Sequence, residues 1–421
     1  MTGFLPWPWN LFNKGSRRSK PARGKSSLAP AARQPTTRPA HRTNMNEIEI
    51  IICLILLFMG VPDLCRVLRR PSLAYPVFVL FGLLLAPIAH ADVRQMLVQA
   101  GQVGFLLLLF EVGLEIDLPK FRDFLPTLRR AALWALVQYP VILALGQLAG
   151  LQWLGCFIAC AAFTGCSVGM GYLGWKHYPG LTDEPRRRVL LLMLALEIIA
   201  IVLLAGETAL FEKGLSWFVV LKLAGIGTTV YLISRFAARL DSVFNLILKT
   251  ATHWRMHLIV LAVLIICAVG DRLGLAATKT AFFLGLFMSR IEHDGQPLED
   301  FIAPISRRFL IPIFFFALGL QIEWQYLFSV TGVVAIATAA LLIGWRLVIH
   351  CRIVATGGDD RSFLLLCPNL TIVALASHTL LTAGNAPRAA AWMVLVGLFM
   401  TIPAILLLPK VSLADTKQPA H

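Results

Sequence analysis

The sequence is poor in charged residues. They make up 14% of its 421 residues, whereas ordinary soluble domains carry about 25%. Hydrophobic residues make up 57%, and the mean hydropathy is +0.74. A soluble fold of this size could not cover its apolar core with so few polar residues. The chain is therefore predicted to be an integral membrane protein.

Several other patterns are missing. Apolar and polar residues do not alternate along the chain, which excludes a barrel of transmembrane strands. The eight cysteines lie mostly inside apolar runs without the spacing of a metal site, so we expect neither a metal nor a cofactor. No nucleophile–base pair is apparent, which makes an enzyme the least favoured class. The 38 basic against 23 acidic residues do not indicate nucleic-acid binding, because most of the basic residues lie in short loops.

The chain does contain a series of long apolar runs. A membrane span needs about 20 such residues, and runs bounded by Pro, Gly and basic clusters predict an all-α polytopic fold of about thirteen transmembrane helices. These predicted spans, numbered 1 to 13, lie near residues 47–62, 73–89, 99–117, 127–149, 152–175, 187–207, 214–235, 255–273, 276–290, 307–323, 329–352, 361–383 and 388–409.

The basic residues predict an orientation. The loops after odd-numbered spans carry 20 Lys and Arg residues, against 5 in the loops after even-numbered spans. Since basic loops stay in the cytoplasm, we expect the N-terminus outside and the C-terminal tail, residues 410–421, inside.

Residues 1–44 conflict with that orientation. They contain nine basic and no acidic residues, with many Pro and Ser, which is typical of disorder. Two explanations stay open: an exported or targeting arm, or translation that begins at Met45, which we favour. The chain is accordingly divided into this basic segment, a transmembrane domain over residues 45–409, and the short tail.

Two pairs of spans share a sequence pattern. Residues 110–117 of span 3 and 316–323 of span 10 both read Phe-x-x-Gly-Leu-x-Ile followed by an acid, 206 positions apart. Spans 2 and 9 match more weakly around Gly82 and Gly285, 203 positions apart. Because matching spans are seven apart, the second copy runs in the opposite direction. This predicts an inverted repeat of spans 1–6 and 8–13, which is typical of alternating-access transporters.

Spans 5 and 12 are interrupted in the middle. Span 5 contains Gly165 between Thr164 and Cys166, and span 12 contains Pro368; glycine loosens a helix and proline removes a backbone donor. Two broken, crossing helices are therefore predicted, whose free carbonyls and helix ends can face a cation. The candidate cation ligands beside the breaks are Thr164, Cys166, Ser167, Asn369 and Thr371.

Ionisable residues within spans are candidates for function because they are costly in lipid. Glu197, in the middle of span 6, can hold a proton or bind a cation but not both, and is the principal proton/cation-binding candidate. Arg346, in the middle of span 11, stays charged. Its role could be structural, to neutralise a carboxylate or cap carbonyls of the broken helices, or functional, to balance the charge of an empty site. Glu111 and Glu115, one turn apart on span 3, are secondary candidates.

Residues 105–116 resemble the "LLFxxGLE" signature of the cation:proton antiporter superfamily, especially its Kef-type monovalent cation/proton exchangers. Residues 281–286 are similar to that family's "GAFxAGL", and residues 312–319 to its "PxFFxxxG". The resemblance covers about residues 47–409. It implies a Na+/H+ antiporter-like homodimer in a bacterial inner membrane, in which a mobile core carries the two broken helices. It also implies an acid at Glu197 and a basic residue at Arg346.

Together these features predict a secondary active transporter that exchanges Na+ or K+ for protons by alternating access. With one carboxylate, we expect one cation to be traded for one proton without net charge movement. Leu196 stands where the family usually has a polar neighbour of the acid. Two alternatives therefore stay open: a non-transporting membrane sensor or scaffold with the same fold, and an organic-anion carrier or channel-like protein that uses Arg346.

Overall fold

The computed structural model describes residues 47–115 except 90, residues 121–213 except 177 and 180, residues 255–272 and 277–289, parts of 292–304, residues 306–382 except 357 and 358, and residues 387–409. The helices, numbered along the chain, are α1 Glu47–Val67, α2 Ala74–Leu85, α3 Ala91–Glu115, α4 Phe121–Leu148, α5 Trp153–Thr164, α6 Val168–Lys176, α7 Asp183–Lys213, α8 Arg255–Arg272, α9 Ala277–Met288, α10 Ile311–Leu320, α11 Trp324–Leu327, α12 Val330–Arg352, α13 Leu370–Thr382 and α14 Pro387–Leu407.

The described residues are almost entirely helical. Short 3-10 turns over Pro71–Leu73 and Ser362–Leu366 precede α2 and α13, and a π-helical turn over Ser306–Leu310 leads into α10. The two strands, β1 Glu292–His293 and β2 Gln296–Pro297, form a two-residue antiparallel pair.

Among the described residues, six helical stretches are long and apolar enough to cross a membrane: Ala91–Leu114, Phe124–Leu148, Trp153–Tyr172, Val330–Arg352, Ser362–Leu381 and Pro387–Leu407. The prediction of an all-α integral membrane protein is therefore confirmed. The count of thirteen spans stays a prediction, because predicted span 7 lies within residues 214–254, outside the described residues. The boundary at residue 44, the orientation of the N-terminus and the tail over 410–421 likewise fall on undescribed residues.

The helices pack as two bundles. In the first, α2 and α3 pack against α10, α3 and α8 pack against α9, and α1 packs against α2. In the second, α4, α5 and α7 pack together with α12, α13 and α14. Fewer contacts join the bundles, among them those of the Pro71–Leu73 turn with α6 and α14. Arg70, just before that turn, donates through its guanidinium to the carbonyls of Ile405 and Leu408 at the end of α14.

Paired glycines bring helices of the first bundle into backbone contact. A Cβ added at Gly82 of α2 would lie 3.1 Å from the Cα of Gly319 of α10 and would overlap the Phe316 carbonyl oxygen. A Cβ at Gly285 of α9 would likewise lie 3.0 Å from the Cα of Gly113 of α3. Backbones approach this closely in membranes only where the facing residues are small.

We expect Gly285→Ala to destabilise the protein by about 1–3 kcal/mol, because the new methyl group would overlap the backbone of α3 and force the helices apart. The control is Gly344→Ala in α12, where an added Cβ would meet nothing within 4 Å. That change should leave the protein as stable or slightly more stable, since alanine favours helix. Thermal unfolding in detergent, followed by tryptophan fluorescence, measures both. Equal Tm values for the two variants would contradict the packing described here.

Candidate functional site

Two broken helices meet in the middle of the second bundle. The first break separates α5, which ends at Thr164, from α6, which begins at Val168; the second separates the 3-10 turn ending at Leu366 from α13, which begins at Leu370. The Ser167 amide donates to the Pro368 carbonyl oxygen over 2.7 Å. The two breaks are therefore bonded directly to each other.

Side chains on each break also bond to the other segment. The Cys166 thiol donates to the Leu365 carbonyl oxygen over 3.4 Å, and the Asn369 side-chain amide donates to the Ala162 carbonyl oxygen over 3.4 Å. Gly165 is needed at this crossing, because an added Cβ would lie 2.8 Å from the Cβ of Ala200 on α7.

Glu197 lies at this crossing and is completely buried. Its Oε2 accepts a hydrogen bond of 3.0 Å from the amide of Val168, the first residue of α6. The N-terminus of a helix carries partial positive charge, which stabilises a carboxylate beside it. The second half of the broken helix thus points its positive end at the buried acid.

Three buried oxygens beside the crossing have no hydrogen-bond partner among the described residues. They are Ser167 Oγ, Asn369 Oδ1 and Thr371 Oγ1, on residues that are at most 2% exposed. Leaving a buried polar group unpaired costs about 1–3 kcal/mol. Oxygens that are costly to leave unpaired, at the same crossing as a buried carboxylate, form a set suited to a hard cation.

Arg346 joins the two breaks from α12 and is also fully buried. One of its terminal nitrogens donates to the Leu366 carbonyl oxygen over 2.9 Å, and the other donates to the Phe163 carbonyl oxygen. Both carbonyls stand at the ends of helical segments that stop at the breaks. The guanidinium therefore satisfies backbone acceptors that the interrupted helices leave open, and its positive charge lies at two helix C-termini, where a cation is favoured.

Gln138 on α4 completes these contacts and was missed from the sequence. Its Oε1 accepts a hydrogen bond of 2.9 Å from Nε of Arg346, and its Nε2 donates to the Trp134 carbonyl oxygen over 2.8 Å. A polar amide inside an apolar span was the signal that could have revealed it, because such a group needs partners in lipid. The Val168 amide gave no comparable signal, since any residue carries one.

The other predicted site residues divide into two groups. Thr164 lies at the crossing, but its hydroxyl donates to the Cys160 carbonyl oxygen over 2.7 Å. Glu111 lies in the first bundle, where the Ser306 hydroxyl and Nε of Arg307, 3.1 Å away, donate to its carboxylate. The structure does not bring Glu111 to the crossing. Glu115 is the last residue of α3, and its side chain is not described.

His350, one turn after Arg346 on α12, belongs to a separate polar network. Its Nδ1 accepts from the Thr356 amide over 3.2 Å, and its Nε2 lies 3.0 Å from the Asp359 carbonyl oxygen. The Tyr178 hydroxyl donates to the Asp359 carboxylate over 2.5 Å. Burial first, and then the hydrogen bond and charge of Asp359, raise the pKa of Tyr178. This network ties the loop after α12 to the loop after α6.

Comparison with known proteins gives consistent matches. The family model described as "Sodium/hydrogen exchanger, transmembrane" matches residues 53–408. A Methanocaldococcus jannaschii protein named "Probable Na(+)/H(+) antiporter 3" is 22% identical over 290 residues, which cover 67% of this chain and 73% of the relative. The solved structure of the sodium proton antiporter MjNhaP1 from the same organism, at pH 8, aligns with a TM-score of 0.59 and 14% identity. That alignment covers 86% of this chain and 95% of the other.

We expect Arg346→Met to destabilise the protein by about 3–5 kcal/mol, because it leaves buried acceptors on Gln138, Phe163 and Leu366 without their donor. Arg352→Met, at an exposed position of the same helix, should change stability by no more than about 0.5 kcal/mol. Arg346→Lys keeps the charge but not the planar fork, so it should fall between them. Thermal unfolding in detergent measures all three, and an Arg346→Met protein as stable as wild type would contradict these contacts.

Proposed function

This chain belongs to the sodium/hydrogen exchanger family of transmembrane proteins, and we propose that it exchanges a monovalent cation, Na+ or K+, for protons by alternating access. The family is one of transporters rather than enzymes. The observation that carries the proposal is the buried carboxylate of Glu197, which accepts from the first amide of α6 at the crossing. The same crossing holds the oxygens of Ser167, Asn369 and Thr371, which have no hydrogen-bond partner among the described residues. The antiporters named among the matches support the same reaction.

In this proposal the two substrates compete for Glu197. Burial disfavours its charged form, so the carboxylate stays occupied either by a proton or by a cation. The Val168 amide and the start of α6 stabilise the ionised carboxylate while the cation binds. The oxygens of Ser167, Asn369 and Thr371 would replace part of the cation's hydration shell, with Thr164 and Cys166 at the edge of the site. Arg346 would balance the negative charge when the cation leaves.

We also propose that the two halves are inverted repeats, and the contacts at the crossing support it. Cys166 and Asn369 are 203 positions apart, and so are Ala162 and Leu365. The hydrogen bond from Cys166 of the first half to Leu365 of the second therefore corresponds to the hydrogen bond from Asn369 of the second half to Ala162 of the first. The two backbone carbonyls that accept from Arg346 are related by the same shift. Such an exchange of contacts is expected from a pseudo-two-fold axis between the breaks.

The glycine contacts of the first bundle support the repeat independently. Gly82 and Gly285 belong to one matched pair of segments, and Gly113 and Gly319 to the other. The structure pairs Gly82 with Gly319 and Gly285 with Gly113, so each contact joins one member of each match. The axis that exchanges the broken helices would exchange these contacts as well.

Alternating access would follow from movement of the second bundle, which carries the breaks, against the first. The small number of contacts between the bundles supports this assignment. A homodimer in a bacterial inner membrane, with the N-terminus outside, completes the proposal. The first bundle would form the dimer contact, because it lacks the broken helices and need not move.

A sensor or scaffold that has lost transport is the main alternative. The three oxygens that lack a partner in the described part of the chain favour an occupied site instead, because a protein with no cation to bind would gain stability by pairing or replacing them. An organic-anion carrier would need Arg346 free to bind the anion, whereas its guanidinium donates to Gln138, Phe163 and Leu366. Inhibition of the reaction by small carboxylic acids would favour the anion carrier.

We expect Glu197→Gln to abolish cation/proton exchange, because the amide cannot release a proton or neutralise a cation. The measurement is dequenching of a pH-sensitive dye in everted vesicles on addition of Na+, K+ or Li+ in turn. Glu184→Gln is the matched control, since Glu184 lies exposed in the first turn of the same helix. Undiminished dequenching by Glu197→Gln would contradict the proposed role. A silent wild type, at normal expression, would favour the sensor.

We expect exchange to be electroneutral, since one carboxylate trades one cation for one proton. In proteoliposomes, an imposed membrane potential should leave the initial rate of dye response unchanged. A rate that rises or falls with the potential would require a second titrating group in the cycle.

A further inference from the structure

The end of α14 leaves two backbone carbonyls without donors from its own helix. The Ile405 carbonyl would ordinarily accept from the amide of residue 409, but that residue is Pro409, which has no N–H to donate. Leu408 follows the last residue of α14, so its carbonyl lies beyond the intrahelical hydrogen bonds. Both acceptors belong to residues that are at most 5% exposed. They therefore need a donor from elsewhere in the chain.

Arg70 of the first bundle supplies that donor. One terminal nitrogen of its guanidinium donates to the carbonyl oxygens of both Ile405 and Leu408. The carbonyls at a helix C-terminus carry partial negative charge, which favours a cation beside them. Hydrogen bonds from a charged donor are also stronger than those between neutral groups. The contact thus joins the first bundle to the second at the end of α14.

The end of α1 fixes the position of Arg70. The Arg70 amide donates to the Cys65 carbonyl oxygen over 2.8 Å, and the Arg69 amide donates to the Arg66 carbonyl oxygen over 2.9 Å. Arg69 has a left-handed backbone, with a φ of 58°. These bonds and this conformation form a Schellman motif, which usually has glycine at the left-handed position. The turn is kept with the less favourable arginine there, and it places Arg70 opposite the end of α14.

A small cavity beside this contact lies between the bundles and extends to the crossing of the broken helices. Arg70 and Ser72 line it from the first bundle, and Gly171, Pro368 and Ile405 line it from the second. Its volume is about 20 Å³, which is room for about one water molecule. The cavity is therefore too small for a hydrated cation while Arg70 holds α14.

We infer that Arg70 is a latch, which holds the second bundle against the first and must release α14 before this side of the cleft can open. The inference rests on the proposed alternating access. In the proposed orientation α1 and α14 both end in the cytoplasm, so the latch closes the cytoplasmic side. Movement of the second bundle would withdraw the carbonyls of Ile405 and Leu408 from the guanidinium. A static anchor would make the same hydrogen bonds, so the tests ask whether the contact opens.

The first test measures how fast a thiol reagent enters the cavity, which requires no transport. Ser72→Cys places a thiol of similar size on the cavity wall, in protein whose two exposed cysteines, Cys53 and Cys351, are replaced by serine. We expect a charged maleimide to label this cysteine about tenfold faster when Arg70→Met is added, because two charge-assisted hydrogen bonds no longer oppose opening. Peptide mass spectrometry of protein labelled in detergent locates the modified cysteine.

Arg69→Gly is the matched control for this labelling. It removes the same charge from the neighbouring, exposed position, and glycine readily adopts the left-handed backbone, so the labelling rate should not change. If Arg70→Met does not fold, Arg70→Gln replaces it, since the shorter side chain does not reach both carbonyls. Equal labelling rates with and without Arg70 would overturn the inference.

The second test measures exchange while the contact is locked. In the double variant Arg70→Cys, Leu408→Cys, a short bis-methanethiosulfonate joins the two thiols across the bundles, and a reductant removes it. The cross-linked protein should lose cation-driven exchange in proteoliposomes and recover it on reduction. Each single variant should exchange at the same rate before and after the reagent.

The outcomes separate the latch from the proposed function. Full exchange by the cross-linked protein would identify Arg70 as a static anchor and overturn the inference alone. Wild-type protein that shows no exchange with any cation would overturn the proposed function, and the labelling of Ser72→Cys would still decide whether Arg70 holds the bundles closed.

Discussion

The structure depends on one constraint: backbone groups exposed by a broken helix must find partners inside the membrane, where water cannot supply them. Arg346 meets this need for both breaks at once, by donating to carbonyls in the final turns of two segments that stop there. The Ser167 amide meets it for Pro368. Once these groups are satisfied, the crossing can keep the oxygens of Ser167, Asn369 and Thr371, which pair with none of the described residues, at an acceptable cost. A cation site can then form from backbone and short polar side chains.

Much of this arrangement was predictable, because its causes are local in the sequence. Gly165 and Pro368 interrupt apolar runs, and the structure breaks both helices within a few residues of them. Glu197 stood out because nothing polar surrounds it along the chain. The predicted helix ends differ more from the observed ends where polar residues continue a helix beyond its apolar run. Helix α3, for example, begins at Ala91, eight residues before the start of predicted span 3. Membership of the antiporter superfamily, inferred from three short motifs, is confirmed by the family match.

Partners distant in the chain could not be predicted. Glu111 was a candidate on the same grounds as Glu197, and only the fold shows that Arg307, 196 positions away, pairs with it in the other bundle. For Arg346 the sequence left open whether it neutralises a carboxylate, caps carbonyls or balances the charge of an empty site. The observed bonds to Phe163 and Leu366 describe the capping geometry, while charge balance stays a prediction. Gln138 was overlooked because its importance arises from Arg346, 208 positions away.

The glycine pairs of the first bundle have a consequence for how that bundle responds to cold. Lipid tails are as apolar as leucine, so these helices gain little from the hydrophobic effect when they associate. Where Gly82 faces Gly319 and Gly285 faces Gly113, close backbones instead allow dispersion and weak Cα–H···O attraction. Hydrophobic association weakens on cooling, whereas these attractions do not depend on water. The bundle that would stay still during transport is thus joined by forces that persist at low temperature.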